Sequence, residues 1–304
     1  MDSHIAVSAP GSTMITGEHA VVHGAPAVVA AIEQRVHVSI SFIDEDTLSI
    51  TSQIAPPQQA PMDRLVAEGP YRFVIACVLA FKHRLTGGLQ IDITSEIDPT
   101  LGLGSSAAVT VATLAGLEGA ATEDLHSYAL KIIREQQGRG SGADLAASLH
   151  GGVLSYQIEG DGPARILPLP LPPQVSLFNV GYKTPTSDVL ARVAKAHDDT
   201  PDEIDAIYRE MSDMSQETIE LIQDGNWEDI GPHLAAYQSL MQRLGVSDDA
   251  LEAAVVRALV ASDVIGAKIS GSGLGDCVLA VGAVPKEFAP VEVARQGVVF
   301  HDDS

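Results

Sequence analysis

Hydrophobic and polar residues alternate in two segments of the chain, and this period of two predicts β-strands. In residues 36–42 and 89–93, every second side chain is valine, isoleucine, leucine or phenylalanine. Shorter apolar segments bounded by turn-forming residues are also predicted as strands, namely residues 153–158, 175–182, 264–269 and 277–281. Strand patterns therefore occur both in the first half of the chain and near its end.

Helical patterns fill much of the chain between these strands. Residues 70–85, 105–119 and 122–137 are predicted as helices, the last with Thr122 as its N-cap. Residues 187–262 are mostly helical in pattern, with breaks at proline and glycine. Because strands and helices occur in both halves of the chain, we predict an α+β fold with two lobes.

A proline-rich segment is the best candidate for the boundary between the lobes. Residues 163–173 contain five prolines, and proline interrupts both helices and central strands. We therefore assign residues 1–165 to an N-terminal lobe and residues 166–304 to a C-terminal lobe.

The chain is strongly acidic, which narrows the kinds of partner it can bind. Its 304 residues include 40 acidic and 18 basic side chains, for a net charge of −22. Nucleic acids and anionic membrane surfaces bind broad basic patches, so neither is an expected partner. The longest apolar run, residues 73–81, is about half the length of a membrane span. We expect a cytoplasmic protein with a small-molecule site.

Three glycine-rich segments depart from ordinary core composition: residues 9–24, 98–108 and 268–277. The second lies between a predicted strand and the helix that begins at Ser105. Glycine permits close backbone approach, and the free N–H groups and dipole at a helix start favour an anion. A phosphate cradle is one interpretation, and a tight turn before a serine N-cap is the other. The third segment is either a hairpin turn or a second phosphate loop.

The second segment also matches the G-x-G-x-x-A fingerprint of dinucleotide-binding proteins. That fingerprint requires an acidic residue at the end of a second strand, about 20 residues further on. The acidic residues in that region, Glu118, Glu123 and Asp124, lie in or between helical patterns instead. A nicotinamide-dependent oxidoreductase is therefore a remote alternative.

Taken in order, the three segments resemble the motifs of the GHMP kinases, a family of small-molecule kinases. The first is similar to the family's P-G-x-x-x-x-x-G-E-H opening, the second to its P-x-x-x-G-L-G-S-S-A-A ATP loop and the third to its K-x-S-G-S-G-x-G-D-C closing loop. The motifs span almost the whole chain. The resemblance implies two α+β lobes, with ATP, Mg²⁺ and a substrate in the cleft between them.

A fourth segment, residues 137–152, resembles the Q-G-K-x-G-S-G-x-D-V-A-A-A-x-Y-G stretch of the phosphomevalonate kinases in this family. Residues 181–187 resemble another region of the same enzymes, whereas the opening segment is closer to mevalonate kinases. The resemblance thus implies ATP-dependent phosphorylation of 5-phosphomevalonate, a small phosphorylated acid. Mevalonate is the alternative acceptor. The resemblance also leaves open whether the protein forms a homodimer.

The resemblance also implies which residues form the site. Asp144 is the expected catalytic carboxylate, and Ser106 is the expected hydroxyl ligand of Mg²⁺. The second metal ligand stays open between Glu135, the nearest acid, and Glu118. The ATP phosphates are expected along Gly102, Leu103, Gly104, Ser105, Ser106 and Ala107. The residues expected to bind the substrate are Glu18, His19, Arg139, Ser141, Gly142, Lys183, Ser272 and Gly273.

One position departs from the family pattern. Mevalonate kinases have a catalytic lysine directly after the P-G of the opening motif, and this chain has Ser12 there. A neutral hydroxyl cannot neutralise charge that develops on a phosphoryl group. We predict that Lys183 replaces the missing cation, which gives a catalytic set of Asp144, Lys183 and Ser12. A nucleotide sensor without turnover is the alternative. Lys268 and Arg139 also lie within the motifs and are candidates to meet the anions.

Overall fold

Runs of strands and runs of helices follow one another along the chain in a computed structural model that describes residues 4–98, 101–160 and 162–302. The first part of the chain forms β1 (His4–Thr16), β2 (Ala27–Ile43), β3 (Thr47–Ser52), β4 (Gln58–Pro61), α1 (Arg72–Phe81), β5 (Gly88–Ser95), α2 (Ser105–Glu118), α3 (Leu125–Gln137), α4 (Ala143–His150), β6 (Val153–Gln157) and β7 (Arg165–Leu169). The second part forms β8 (Val175–Phe178), α5 (Thr186–Ala196), α6 (Pro201–Gln223), α7 (Gly231–Arg243), α8 (Asp249–Leu259), β9 (Val264–Ile269), β10 (Val278–Gly282), β11 (Ala289–Val291) and β12 (Val299–His301).

The strands build two separate sheets. The larger has eight strands, six of them in the order β12-β1-β2-β5-β3-β4, with β6 joined to both β2 and β7. The smaller has four strands in the order β11-β8-β10-β9. The period-two pattern explains the larger sheet, because Val36, Val38 and Ile40 of β2 are each no more than 1% exposed. Helices α2 and α4 pack against β1 and β2, so the expected α+β fold is confirmed.

Several predicted elements are shorter than their sequence patterns. Helix α1 ends at Phe81, because residues 82–84 tighten into a 3₁₀ turn. Helix α3 begins at Leu125, whose N–H donates to the carbonyl of Thr122, so the chain is still turning at the predicted N-cap. Strand β8 ends at Phe178. In the part of the chain that the structure describes, no helix is long and apolar enough to cross a bilayer.

The chain passes from one sheet to the other within the proline-rich segment. The predicted division between residues 165 and 166 falls inside β7, which pairs with β6 in the larger sheet. The change of sheet comes after Leu169 and before Val175. Strand β12 then returns to the larger sheet, where Ala6 pairs with His301. We therefore place the lobe boundary at residues 170–174.

A buried ion pair joins the two sheets. Lys268 of β9 is fully buried, and its Nζ lies 2.5 Å from Oε1 of Glu18, which follows β1. The ammonium group also donates to the carbonyl of Ile269 and lies 5.1 Å from the ring centre of Tyr237. Tyr237 Oη accepts from the N–H of Gly17 at 3.1 Å and donates to the Glu18 carbonyl at 2.8 Å. Because a buried charge is costly without a partner, this pair fixes the opening segment against β9.

Breaking this pair should destabilise the fold far more than removing both of its charges. Lys268→Met leaves Glu18 buried without its partner, so we expect the free energy of unfolding to fall by about 3–5 kcal/mol. The double variant Lys268→Met/Glu18→Gln removes both charges and should recover most of that loss. Urea unfolding measures both values. A change within about 1 kcal/mol for Lys268→Met alone would contradict the role given to the pair.

Candidate active site

Helix α2 begins in the glycine-rich segment that was expected to bind phosphate. Its N-cap is Gly104, in the left-handed conformation with φ of +69°, and glycine has no side chain to cap the first turn. The N–H groups at the start of α2 are therefore directed, with the helix dipole, at a site suited to an anion. Ser105 is the first helical residue and not the N-cap, which favours a phosphate cradle over a capped turn. Pro99 and Thr100 of this segment lie outside the described residues.

The opening segment packs directly onto this loop. The backbone N–H of Ser12 donates to the carbonyl of Leu103 at 3.1 Å. A Cβ atom at Gly104 would lie 2.1 Å from Ser12 Oγ, so only glycine fits at this position. Ser12 is 1% exposed, and its hydroxyl donates to Oδ1 of Asp144 at 2.8 Å. Three of the predicted motifs therefore meet at Ser12.

Asp144 lies in the first turn of α4 and is half-buried beside the ATP loop. Burial raises the pKa of its carboxyl group, and the nearby Asp276 carboxylate raises it further. The hydrogen bond from Ser12 and the charge of Lys183 lower the pKa but do not cancel the increase. Asp144 is thus a stronger base than an ordinary aspartate, in a position held by a hydrogen bond.

Lys183 reaches this cluster from the other side of the cleft. Its Nζ lies 3.4 Å from Oδ1 of Asp276 in the closing segment, and its side chain is 28% exposed. A Cβ atom at Gly102 would lie 2.9 Å from Lys183 Nζ and 2.6 Å from Asp276 Oδ1, so the ammonium group contacts the ATP loop directly. The structure therefore brings Lys183 to the ATP loop. Asp276 is a member of the cluster to which the sequence assigned no role.

The other two basic candidates lie elsewhere. Lys268 is enclosed with Glu18 and does not face the cleft. Arg139 is exposed, and it lies near His23. Burial lowers the pKa of His23, the Asp205 carboxylate raises it, and Arg139 lowers it again. Of the three basic residues, Lys183 is the one that reaches the ATP loop.

Glu18 and His19 were expected to line the substrate cleft. The structure instead buries them where the opening segment contacts the closing segment. They are 4% and 6% exposed. A ring nitrogen of His19, Nε2, lies 2.9 Å from the carbonyl oxygen of Ser272. Burial lowers the pKa of His19 to about 4, so its ring is neutral at pH 7. Thr13 and Ser270 form a further contact between the segments, with 2.9 Å between their hydroxyl oxygens.

The closing segment forms the turn of an antiparallel hairpin between β9 and β10, as one of its two interpretations predicted. Gly273 was expected to bind substrate, yet a Cβ atom there would lie 2.2 Å from the carbonyl oxygen of Val246. Its backbone is therefore packed against the segment between α7 and α8. Ser272 turns inward, and its backbone N–H and hydroxyl both donate to Oδ2 of Asp276.

A cavity of about 340 Å³ lies beside the loop that leads into α4. Ser141 of that loop lines it, together with His23, Arg134 and Ile158. The loop itself is held by the Tyr156 hydroxyl, which donates to the Ser141 carbonyl at 2.5 Å. Two predicted substrate-binding residues, Ser141 and Gly142, therefore lie at or next to this cavity, close in sequence to Asp144.

The two acidic residues considered as metal ligands each pair with a basic residue. Oε1 of Glu135 lies 4.0 Å from Lys131 Nζ on the exposed side of α3. Gln137 of the same helix donates from Nε2 to the Ser106 hydroxyl at 3.4 Å. Glu118 pairs with Arg84 at 2.6 Å, at the far end of α2, about 18 Å along the helix from Ser106. Among the described residues, no group of three or more histidine, cysteine or acidic side chains could hold a metal ion.

Comparisons with known proteins match the same architecture. A family model described as "GHMP kinases N terminal domain" matches residues 72–152, and "GHMP kinases C terminal" matches residues 218–297. A mevalonate kinase from Aeropyrum pernix is 32% identical over 283 residues, which cover 90% of this chain and 86% of that protein. Another from Archaeoglobus fulgidus is 33% identical over 299 residues, which cover 96% of this chain and 98% of that protein.

Solved structures show the same fold. The mevalonate kinase of Methanococcus jannaschii superposes with a TM-score of 0.75 at 22% identity, covering 92% of this chain and 91% of that chain. The Streptococcus pneumoniae phosphomevalonate kinase in complex with phosphomevalonate and AMPPNP has a TM-score of 0.76 at 18% identity, covering 91% of each chain. The family models and the curated relatives confirm the resemblance inferred from the three motifs, and the solved structures confirm the fold.

The close contact between Gly104 and Ser12 predicts a sharp effect on nucleotide binding. Gly104→Ala would drive a Cβ atom into Ser12 Oγ, so we expect affinity for an ATP analogue to fall at least about tenfold in calorimetric titration. Gly119→Ala at the other end of α2 is the matched control. Gly119 has a similar φ of +74°, but nothing lies within 4 Å of its added Cβ. It should lose stability and keep its nucleotide affinity, and equal losses of affinity in both variants would contradict the prediction.

Proposed function

The chain belongs to the GHMP kinase family, and we propose that it transfers the γ-phosphoryl group of ATP to the hydroxyl group of mevalonate. It is a phosphotransferase, as its motifs predicted, and the nicotinamide-dependent alternative has no further support. The curated relatives that match nearly its whole length at about one-third identity are mevalonate kinases. These relatives favour mevalonate as the acceptor. The sequence motifs had instead led us to expect 5-phosphomevalonate.

The position of Asp144, whose carboxylate is held by the Ser12 hydroxyl beside the ATP loop, is the observation that supports the choice of acceptor. An alcohol must lose a proton as it attacks phosphorus, so an alcohol kinase benefits from a general base. A phosphate acceptor is already largely ionised at neutral pH, because its second pKa is about 6. Burial raises the pKa of Asp144 and makes it a better proton acceptor. This carboxylate therefore suits an alcohol better than a phosphate.

The chain's own groups fit the phosphates of ATP. The glycine-rich backbone of residues 102–107 and the glycine-capped start of α2 offer N–H groups to the phosphate oxygens. Mg²⁺ binds largely through phosphates and water, so it needs few ligands from the chain. Ser106 is the hydroxyl that would contact it, and the bound ion would supply neutralising charge on the phosphates.

The proposed mechanism gives separate roles to Lys183, Ser12 and Asp144. Ser12 donates to Oδ1 of Asp144 and fixes the direction of the carboxylate, which accepts the hydroxyl proton of the acceptor. Lys183, beside Gly102, stabilises negative charge on the transferring phosphoryl group. A serine in place of the family's lysine thus leaves a complete catalytic set, with the cation supplied from the second lobe. This arrangement supports an active kinase over a sensor without turnover.

The cavity next to Ser141 is the proposed binding site of the acceptor. Arg134 in its wall offers positive charge to the carboxylate of mevalonate, and Arg139 lies close to His23 on the same side. The second candidate acceptor is 5-phosphomevalonate, because residues 137–152 resemble the corresponding stretch of phosphomevalonate kinases. Since Lys268 is paired with Glu18, fewer cations are available for an additional phosphate.

An assay of ADP release with each acceptor tests the proposal. We expect kcat/KM with mevalonate to exceed that with 5-phosphomevalonate by at least about 100-fold, because only the alcohol uses Asp144 as a base. Asp144→Asn should abolish most of the rate with mevalonate. The reverse preference would transfer the assignment to 5-phosphomevalonate, and activity on neither acceptor would reject it.

The hydrogen bond from Ser12 predicts the direction of a pH shift. Asp144 acts as a base only when ionised, so kcat/KM falls as the pH drops through its pKa. Ser12 lowers that pKa. The Ser12→Ala variant should therefore have a higher Asp144 pKa, and the acidic limb of its pH–rate profile should move to higher pH.

Ser148→Ala is the matched control for this shift. Ser148 also lies on α4, and its hydroxyl donates to the Pro10 carbonyl at 2.8 Å rather than to the Asp144 carboxylate. This variant should leave the acidic limb in place. An unchanged limb, or a shift to lower pH, in Ser12→Ala would show that the Ser12 hydrogen bond does not tune the base.

A further inference from the structure

Asp276 lies where the closing segment, the ATP loop and Lys183 meet, and nothing described so far gives it a function. Its side chain is 4% exposed, although it lies in a glycine-rich turn where most neighbours have no side chain. A carboxylate this buried must be held by specific partners, because its desolvation is otherwise costly. The two oxygens of Asp276 have different partners.

One oxygen shapes the closing segment. Oδ2 accepts hydrogen bonds from the backbone N–H of Ser272 at 2.5 Å and from its hydroxyl at 2.9 Å. A Cβ atom at Gly271 would lie 2.6 Å from the same oxygen, so the turn is folded tightly around it. This half of the carboxylate is committed to structure and has a fixed position.

The other oxygen faces Lys183. Oδ1 lies 3.4 Å from Lys183 Nζ, close enough for an ion pair, yet it receives no aligned hydrogen bond from any described residue. The electrostatic attraction therefore fixes the position of the ammonium group, while its N–H groups form no hydrogen bond to Oδ1. The same two groups lie against Gly102, where a Cβ atom would be 2.6 Å from Oδ1 and 2.9 Å from Nζ.

We propose that Asp276 is a positioning residue that holds the Lys183 ammonium group against the ATP loop and leaves its N–H donors available to a phosphate. The proposal rests on the kinase function given above. Lysine has a flexible stem and three rotatable donors, so an unassisted lysine at a partly exposed site loses side-chain entropy when it meets its ligand. A fixed counter-charge removes much of that cost before ATP arrives.

This role has a kinetic signature that a purely structural residue would lack. The Asp276 carboxylate adds negative charge beside a site for polyanions. Removing it relieves that repulsion, which should offset the lost preorganisation of Lys183, so ATP binding in the ground state should not weaken. The removal should lower the rate, because Lys183 is no longer held where charge develops. Asp276→Asn should therefore lower kcat without raising KM for ATP. The asparagine oxygen can still accept from Ser272, which preserves the turn.

The test is a double-mutant cycle of Asp276→Asn and Lys183→Met in the full chain. We expect Lys183→Met to lower kcat about 100-fold and Asp276→Asn to lower it at least about 30-fold. In the Asp276→Asn background, Lys183→Met should lower kcat by less than about a further threefold, because the two residues act as one unit. Asp44→Asn, in an exposed turn, and Lys195→Met, on the exposed side of α5, repeat the charge changes and should leave kcat unchanged.

Two outcomes would overturn the proposal. If Lys183→Met lowers kcat by the same factor in the unaltered chain and in Asp276→Asn, the two residues act independently. A several-fold rise in the Mg²⁺ concentration needed for half-maximal rate in Asp276→Asn, without coupling to Lys183, would make Asp276 a metal ligand instead.

A binding measurement separates this inference from the kinase assignment. If the unaltered chain phosphorylates neither acceptor, the proposed function fails, and the same cycle is measured by calorimetry with Mg²⁺ and a non-hydrolysable ATP analogue. Lys183→Met should then weaken affinity about tenfold in the unaltered chain and less than about threefold in Asp276→Asn. Equal weakening in both backgrounds would overturn the positioning role.

Discussion

The buried ion pair between Lys268 and Glu18 is the constraint on which the arrangement of the two sheets depends. Neither charge can be buried alone, so β9 of the smaller sheet must meet the segment that follows β1 of the larger one. His19 contacts Ser272 beside the pair, and the Thr13 and Ser270 hydroxyls meet nearby. Once these segments are fixed, the ATP loop, the start of α4 and Lys183 lie around one cleft.

This cleft must bind polyanions in a chain with a net charge of −22. Long-range attraction cannot draw ATP to such a protein, so local groups must compensate. The structure offers two kinds of group: the N–H groups at the start of α2, which carry no net charge, and the ammonium group of Lys183 beside Gly102. Asp144 and Asp276 add negative charge to the same place. In the proposed mechanism each of them has a role: Asp144 is the base, and Asp276 is the counter-charge for Lys183.

The sequence predicted local features well and long-range pairings poorly. The glycine motifs and the start of α2 at Ser105 follow from local pattern and from the family resemblance. The enclosure of Lys268 could not be predicted, because its partner Glu18 is 250 residues away in the chain. The acid that would complete a metal site could not be chosen, because sequence spacing does not show which face of α3 meets Ser106. Asp276 was overlooked because its significance depends on Lys183, a residue of another segment.

The most direct measurement is a crystal structure of the chain with Mg²⁺, a non-hydrolysable ATP analogue and mevalonate. We predict phosphate oxygens on the N–H groups of residues 102–107, Lys183 Nζ within hydrogen-bond distance of the γ-phosphate while still beside Asp276, and the acceptor hydroxyl on Asp144. A γ-phosphate contacted by a different cation, with the acceptor hydroxyl away from Asp144, would contradict the catalytic roles of both residues.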